Sequence, residues 1–207
     1  FDFQVWLEIS WNGDSPRILR IKKPKKIGQD STLSKQIRYG LKYMALISIQ
    51  QENFERVVKF GFAKKPGDEI SKYLIIELMG KHSNFFYLEK NHKIIAVGKQ
   101  VKASQSSFRT ISTGLIYSQP PTNHKKKPLE NESFQSWKES ISNVPQSLKN
   151  CLINTYQGVS PILTKQLEVF SNLSDSEIMN KNIDFISEAN LRKIFESWKI
   201  WINRFNE

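Results

Sequence analysis

The hydrophobic pattern of this chain changes period once, and that change constrains the fold more than any single motif. Phe1, Phe3, Val5, Leu7, Ile9 and Trp11 alternate with other residues, the signature of a half-buried strand. Asn12-Gly13 follows as a hairpin turn and Arg17 to Ile21 as the return strand. Ala45–Ile49, Phe54–Phe62, Tyr73–Met79, Phe85–Leu88 and Ile94–Val97 are further apolar runs at short spacing, which predicts a meander or sandwich rather than alternating β-α units. One helix interrupts them: Asp30 or Ser31 caps it, and Leu33, Ile37, Leu41 and Met44 mark its core face. Residues 104–121 lack periodicity and carry Arg109, Gly114, Tyr117 and Pro120-Pro121, so an extended segment is expected.

Further on, the period becomes helical. Phe134, Trp137 and Ile141 fit one helix, and Leu148, Leu152 and Thr155 a second. Ile162, Leu163, Leu167 and Phe170 fit a third, residues 174–177 open a short one, and Leu191, Ile194, Phe195, Trp198, Ile202 and Phe205 form the stripe of the last. The predicted fold class is therefore α+β: a β-rich domain over residues 1–122, a basic linker over 123–132 and an all-α domain over 133–207.

Charge narrows the partners. The net charge is +11 over 207 residues, and the isoelectric point is about 9.6. Such an excess favours a polyanion, nucleic acid before an acidic membrane surface. Thirteen Phe and five Trp can fill a core, and no apolar run approaches the roughly 20 residues of a membrane span. The one cysteine, Cys151, permits no internal disulfide; it lies in a helical pattern beside Leu148 and Leu152 and is expected to be packed and inert. The chain starts Phe-Asp-Phe inside a strand pattern and ends inside a helical one, so it is expected to be a fragment. No Cys/His spacing suits a metal, no glycine pattern suits a nucleotide cofactor, and no nucleophile is marked beside the three histidines. Binding, without cofactor, metal or enzymatic activity, is the expected class.

Three places draw attention. The run Tyr73–Met79 ends at Gly80 and releases Lys81, His82, Ser83 and Asn84 together before the next apolar run, which reads as a recognition corner on a rigid scaffold or as an ordinary hairpin corner. Arg56 shares the period-two face of Phe54, Val58, Phe60 and Phe62, and Glu77 that of Tyr73, Ile75 and Met79. Charges on apolar faces demand partners, so Arg56 and Glu77 are expected to pair across the sheet or to line a polar notch, unless Arg56 reaches water at a strand end. Gly158-Val159-Ser160-Pro161 joins two helices, with Ser160 as cap and Pro161 as first helical residue; a turn of this kind can hold a phosphate on backbone N–H groups or bind nothing.

Taken together, these stretches resemble the NFACT family. Glu77-Leu78-Met79-Gly80-Lys81-His82-Ser83-Asn84 is similar to a family signature, and Phe54-Glu55-Arg56-Val57-Val58 to its Asp-Arg strand. Arg109 through Thr113-Gly114, Tyr117 and Pro120-Pro121 resembles its Arg…Pro-Gly…Tyr…Pro-Pro segment, and Gly158 to Pro161 its helix-hairpin-helix turn. Glu55 stands where the family has aspartate, one methylene longer, and Thr113 where it has proline. The resemblance implies an N-terminal fold like that of formamidopyrimidine-type DNA glycosylases, without their chemistry, followed by a helix-hairpin-helix domain. It implies a cytoplasmic ribosome quality-control factor that binds obstructed large subunits carrying peptidyl-tRNA and recruits tRNA for template-free C-terminal tailing. Glu55, Arg56, Lys81, His82, Asn84 and Arg109 are the implied contacts to tRNA or rRNA, with Gly158 and Ser160 as a phosphate-binding turn. Adhesion to fibronectin and generic nucleic-acid binding are the competing readings, and a glycosylase-fold enzyme the third.

Overall fold

A strand buried on both faces needs apolar residues at consecutive positions, which is why Leu74, Ile75 and Ile76 follow one another in the middle of the β-rich part. The computed structural model describes residues 4–25, 28–52, 54–121, 125–173 and 177–204. Phe1 and Phe3 of the first strand, Asn123 and His124 of the basic linker, residues 174–176 of the short helix and Phe205 of the last helical stripe lie outside the described residues. The chain forms two compact units, residues 1–122 and 123–207.

In the first unit, β1 (Trp6–Ser10) and β2 (Arg17–Ile21) pair as an antiparallel hairpin, with Ile9 opposite Ile18. The helix α1 (Thr32–Gly40) is capped by Ser31, whose hydroxyl accepts from Ser34 N. A five-stranded antiparallel meander follows: β3 (Ala45–Gln51), β4 (Val57–Ala63), β5 (Lys72–Glu77), β6 (Asn84–Glu89) and β7 (Ile94–Val97), in sequential order.

Each sheet face has its own core. Phe60, Leu74, Ile76, Phe85 and Tyr87 pack against Ile9, Trp11 and Ile18 of the hairpin and Leu33, Ile37 and Leu41 of α1. On the other side Ile75, Phe86, Leu88 and Ile94 pack against Ile111 and Tyr117 of the segment after β7. The expected α1 core face is thus seen at three of its positions. The alternating N-terminal face is only half used: Ile9 and Trp11 pack, while Val5 and Leu7 are exposed because the outer half of the hairpin runs past the core.

The second unit is helical: α2 (Phe134–Ile141), α3 (Leu148–Thr155), α4 (Pro161–Phe170) and α5 (Glu188–Asn203). Ser133, Ser160 and Ser187 cap α2, α4 and α5 with side-chain hydrogen bonds. Trp137, Leu148, Leu152, Tyr156, Leu167, Ile194 and Trp198 are fully buried in one core, and Cys151 is buried with them. Burial pushes the Cys151 thiol up, which suits a packed, inert side chain. The stretch read as a basic linker is bound to this unit over its described part: Lys126 N donates to Thr155 O at 2.7 Å, Gln157 N donates to Lys126 O at 2.9 Å, and Pro128 is buried. Among the described residues no helix is long and apolar enough to cross a membrane.

Candidate nucleic-acid interface

Glu77 is fully buried at the end of β5, opposite Val57 on β4 and Asn84 on β6. Its partner is Arg109, from the non-periodic segment. Arg109 Nη1 donates to Glu77 Oε1 at 2.8 Å and Nη2 to Oε2, while Nη1 also donates to Ser118 O at 2.7 Å. Tyr117 adds its hydroxyl to Glu77 Oε1 at 2.9 Å and sets its ring edge against Phe86. A bidentate arginine satisfies both carboxylate oxygens at once. Burial works against the Arg109 cation, but the Glu77 hydrogen bonds and charge outweigh it and hold its pKa up. Burial first, then the Glu77 charge, drives the Tyr117 phenol far upward.

This geometry corrects two expectations. Arg56 does not pair with Glu77. Because Val57 is the residue opposite Glu77, Arg56 is one step out of register, turned to the other side and exposed. Its strand-end reading, with the charge in water, is the one that holds. Arg109, expected to contact tRNA or rRNA, instead spends its guanidinium on Glu77 and Ser118 and clamps the extended segment to the sheet.

The Gly80 corner divides in the same way. Gly80 takes φ 55°, a conformation that favours glycine, and Gly80–His82 forms one short 3-10 turn. Ser83 is buried and its hydroxyl accepts from Met79 N at 2.8 Å. Asn84, also buried, accepts from Lys99 N and donates to Lys99 O, both at 2.8 Å, and accepts from Phe85 N at 2.9 Å. Asn84 therefore ties the corner to the chain after β7 and is not free for phosphate or base. Lys81 and His82 are exposed. The tip of the first hairpin supports them from below: a Cβ at Gly13 would sit 2.9 Å from Lys81 Cα, so only glycine lets the two backbones approach this closely.

Arg56 belongs to the same end of the sheet, since Leu78 N donates to its carbonyl at 2.8 Å. Beside it, half-buried Glu55 borders a cleft of about 550 Å³ floored by Val57, Ile75 and Tyr117. The structure thus leaves Arg56, Lys81 and His82 as outward groups at this end of the sheet, sets Glu55 at the cleft, and assigns Asn84 and Arg109 to the scaffold. Gly158 and Ser160 lie in the other unit. Gly158 takes φ 74°, and Ser160 accepts from Leu163 N at 3.2 Å, so the cap of α4 is already filled by its own hydroxyl.

Sequence reasoning passed over Lys59 and His92, which share this cleft. Lys59 Nζ lies 3.4 Å from His92 Nε2 and 4.2 Å from the Tyr73 ring centroid. An ammonium can only donate, so Nε2 accepts and the ring is neutral. Burial, then the Lys59 charge, lowers the His92 pKa. A lysine on the same face as Val57, within a strand of Phe, Gly and Ala, was the available signal.

The model for NFACT N-terminal and middle domains matches residues 2–207. The chain belongs to the NFACT family. Among curated relatives, the Rqc2 homolog RqcH of Streptococcus pneumoniae serotype 2 is 31% identical over 183 residues, which is 81% of this chain and 33% of that protein. The Rqc2 homolog RqcH of Bacillus subtilis is 31% identical over 121 residues, 57% of this chain and 21% of that protein. The chain therefore spans about a third of the pneumococcal relative. Among solved structures, the N-terminal part of the fibronectin/fibrinogen-binding protein of Streptococcus suis superposes with a TM-score of 0.65 at 24% identity, covering 94% of this chain and 68% of that one. The N-terminal domain of fibronectin-binding protein PavA from S. pneumoniae gives 0.60 at 25% identity, covering 98% and 68%. In this NFACT chain the signature from Glu77 to Asn84 is mostly scaffold, with Lys81 and His82 as its outward part.

Proposed function

We propose that this chain is the RNA-contacting part of a cytoplasmic ribosome quality-control factor. Such a factor binds obstructed large ribosomal subunits with peptidyl-tRNA and recruits tRNA for template-free C-terminal tailing. Its role is binding, with no hydrolytic, redox or glycosylase step of its own. The observation that carries this reading is the grouping of Arg56, Lys81 and His82 as exposed groups at one end of the sheet, on a chain of net charge +11. Phosphate contact there needs exposed cations held on a rigid frame, and the Glu77–Arg109–Tyr117 cluster and Asn84 supply the frame. Membership of the NFACT family and the RqcH relatives support the assignment. The glycosylase-like reading of the first unit and the helix-hairpin-helix reading of α3, Gly158 and α4 belong to the same proposal.

The test is co-sedimentation of the full-length protein with isolated large subunits at near-physiological salt, with and without peptidyl-tRNA. Preferential binding to the loaded subunit is expected. Arg56→Ala should weaken tRNA recruitment roughly tenfold without lowering the melting temperature, because an exposed charge contributes little to folding. Binding to any polyanion alike, lost at modest salt, would defeat the proposal. The fibronectin-binding names of the solved relatives favour one second reading, adhesion. Saturable fibronectin binding at the same salt, with no preference for loaded subunits, would select it.

A further inference from the structure

We infer that the cleft beside Glu55 is a binding site for one unstacked nucleotide, with its phosphate on Lys59 and His92 and its base edge on Glu55. This rests on the RNA-binding reading and gives it a specific pocket. A volume of about 550 Å³ lies within the range of small-ligand sites. The cleft is polarised along its length. At one end the half-buried Lys59 ammonium is held over Tyr73 and against His92. Among the described residues no carboxylate pairs with Lys59, so its charge is available to an anion from outside. A positive group so placed, with a neutral imidazole that can take up a proton beside it, calls for an anion from outside. Binding a phosphate would raise the pKa of His92, which burial and Lys59 hold down.

The other polar lining is Glu55, Glu52 and the Gln51 and Gln119 amides, with Gln119 Nε2 donating to Glu52 Oε2 at 3.4 Å. Gln51 Nε2 donates to the Glu55 backbone carbonyl at 2.8 Å, which fixes the rim and leaves the carboxylate of this cleft-lining residue out of that bond. Between the ends the floor is Val57, Ile75 and the Tyr117 ring, which Glu77 and Phe86 lock in place. An apolar floor of this kind suits the flat face of a base. Lys59 follows Glu55 by four positions, so their Cα atoms are no more than about 14 Å apart. With both side chains turned inward, a single nucleotide spans that distance from phosphate to base edge. A carboxylate accepts from exocyclic amino groups and repels a carbonyl edge, so adenine, cytosine and guanine should be preferred to uracil.

Calorimetric titration of the full-length protein with adenosine 5′-monophosphate, uridine 5′-monophosphate, adenosine and inorganic phosphate reads this directly. Adenosine monophosphate should bind about tenfold more tightly than adenosine, the difference expected of a charge-assisted contact, and more tightly than the uridine nucleotide. Lys59→Met should remove the advantage of nucleotide over nucleoside, and Glu55→Gln the advantage of adenine over uracil. A five-nucleotide single-stranded RNA competing with adenosine monophosphate would identify the natural source as RNA; failure to compete would identify it as a free nucleotide. Equal binding of adenosine and its monophosphate by the unaltered protein, or no binding of either, overturns the site even if Lys59→Met fails to fold. Arg56→Ala separates the two proposals. It lies on the other side of the sheet and should leave nucleotide affinity unchanged while tRNA recruitment falls. Retained tRNA recruitment with no nucleotide binding sinks the pocket alone. Nucleotide binding without tRNA recruitment supports the pocket and sinks the wider function.

Discussion

Each unit buries one glutamate against a cation and a tyrosine, and the two clusters are solved differently. In the β-rich unit, Glu77 meets the Arg109 fork and the Tyr117 hydroxyl, and both of its oxygens accept hydrogen bonds. In the helical unit, Glu132 Oε1 accepts from Lys126 Nζ at 2.5 Å and from Tyr156 at 2.9 Å, while Oε2 is buried without a partner. Arginine presents a planar fork that matches a carboxylate, whereas a lysine ammonium is one point. The Arg109 side chain is 15% exposed and that of Lys126 is 37% exposed. The first cluster therefore holds a segment in place from inside, and the second ties a strip of chain down from the rim of its unit.

Removal of the cation should bring out this contrast most strongly. Arg109→Ala strands a fully buried carboxylate and frees the segment through Tyr117, so a loss of about 3–5 kcal/mol is expected. Lys126→Ala also strands a buried carboxylate, but the ammonium it removes is partly exposed, so water can enter in its place, and Tyr156 is retained; a smaller loss of about 2–3 kcal/mol is expected. Denaturant unfolding, with hydrogen exchange in β4 to β6 and in α2 and α3 to assign the unit, measures both. Equal losses would mean that the arginine fork has no special weight. Because Arg109 also positions Tyr117 in the cleft floor, its loss should weaken ligand binding there as well as stability.

How much of this was legible in the sequence follows from the range of each signal. The strands were legible because burial on both faces writes consecutive apolar residues into β5 and β6. Glu77 was legible as a charge on an apolar face, so the need for a partner was predicted. The partner was not, because Arg109 lies 32 residues away in a segment without periodicity, and no local pattern links them. The Arg56 assignment failed by a single register step: antiparallel pairing sets Val57, not Arg56, opposite Glu77. In the sequence Asn84 stays open between an outward contact and a tie of the strand corner, because sequence shows polarity but not the loop at Lys99 that consumes it. The pairing of Lys59 with His92 spans three strands' worth of chain, beyond the reach of any spacing rule.

A subtler exchange sharpens the comparison. Arg109→Lys gives the first unit the cation of the second. The charge survives, but one oxygen of Glu77 loses its donor and the bond to the Ser118 carbonyl must be shared. A loss of about 2 kcal/mol, smaller than that of Arg109→Ala, is expected from an unsatisfied buried acceptor. A loss as large as that of Arg109→Ala would show that shape, not charge, holds the cluster. No loss would show that the buried carboxylate needs only a nearby positive charge, and the unpaired Oε2 of Glu132 would then carry no cost either.

The smallest effect separates the tyrosines from the cations. Tyr117 and Tyr156 both donate to a buried carboxylate, and burial with that negative neighbour raises both phenol pKa values. A raised folded-state pKa means that the contribution is complete below the unfolded tyrosine value of about 10 and is lost as pH climbs above it. Tyr117→Phe and Tyr156→Phe should each cost about 1 kcal/mol at pH 7. Between about pH 10 and 11.5 each variant should lose melting temperature less steeply than the unaltered protein, since the group that resists ionisation is gone. If only Tyr117→Phe flattens that slope, the alkaline limit of the protein lies in the β-rich unit. If both flatten it equally, the hydroxyl–carboxylate bond is worth the same beside an arginine fork as beside a lysine, and the difference between the clusters lies in the cations alone.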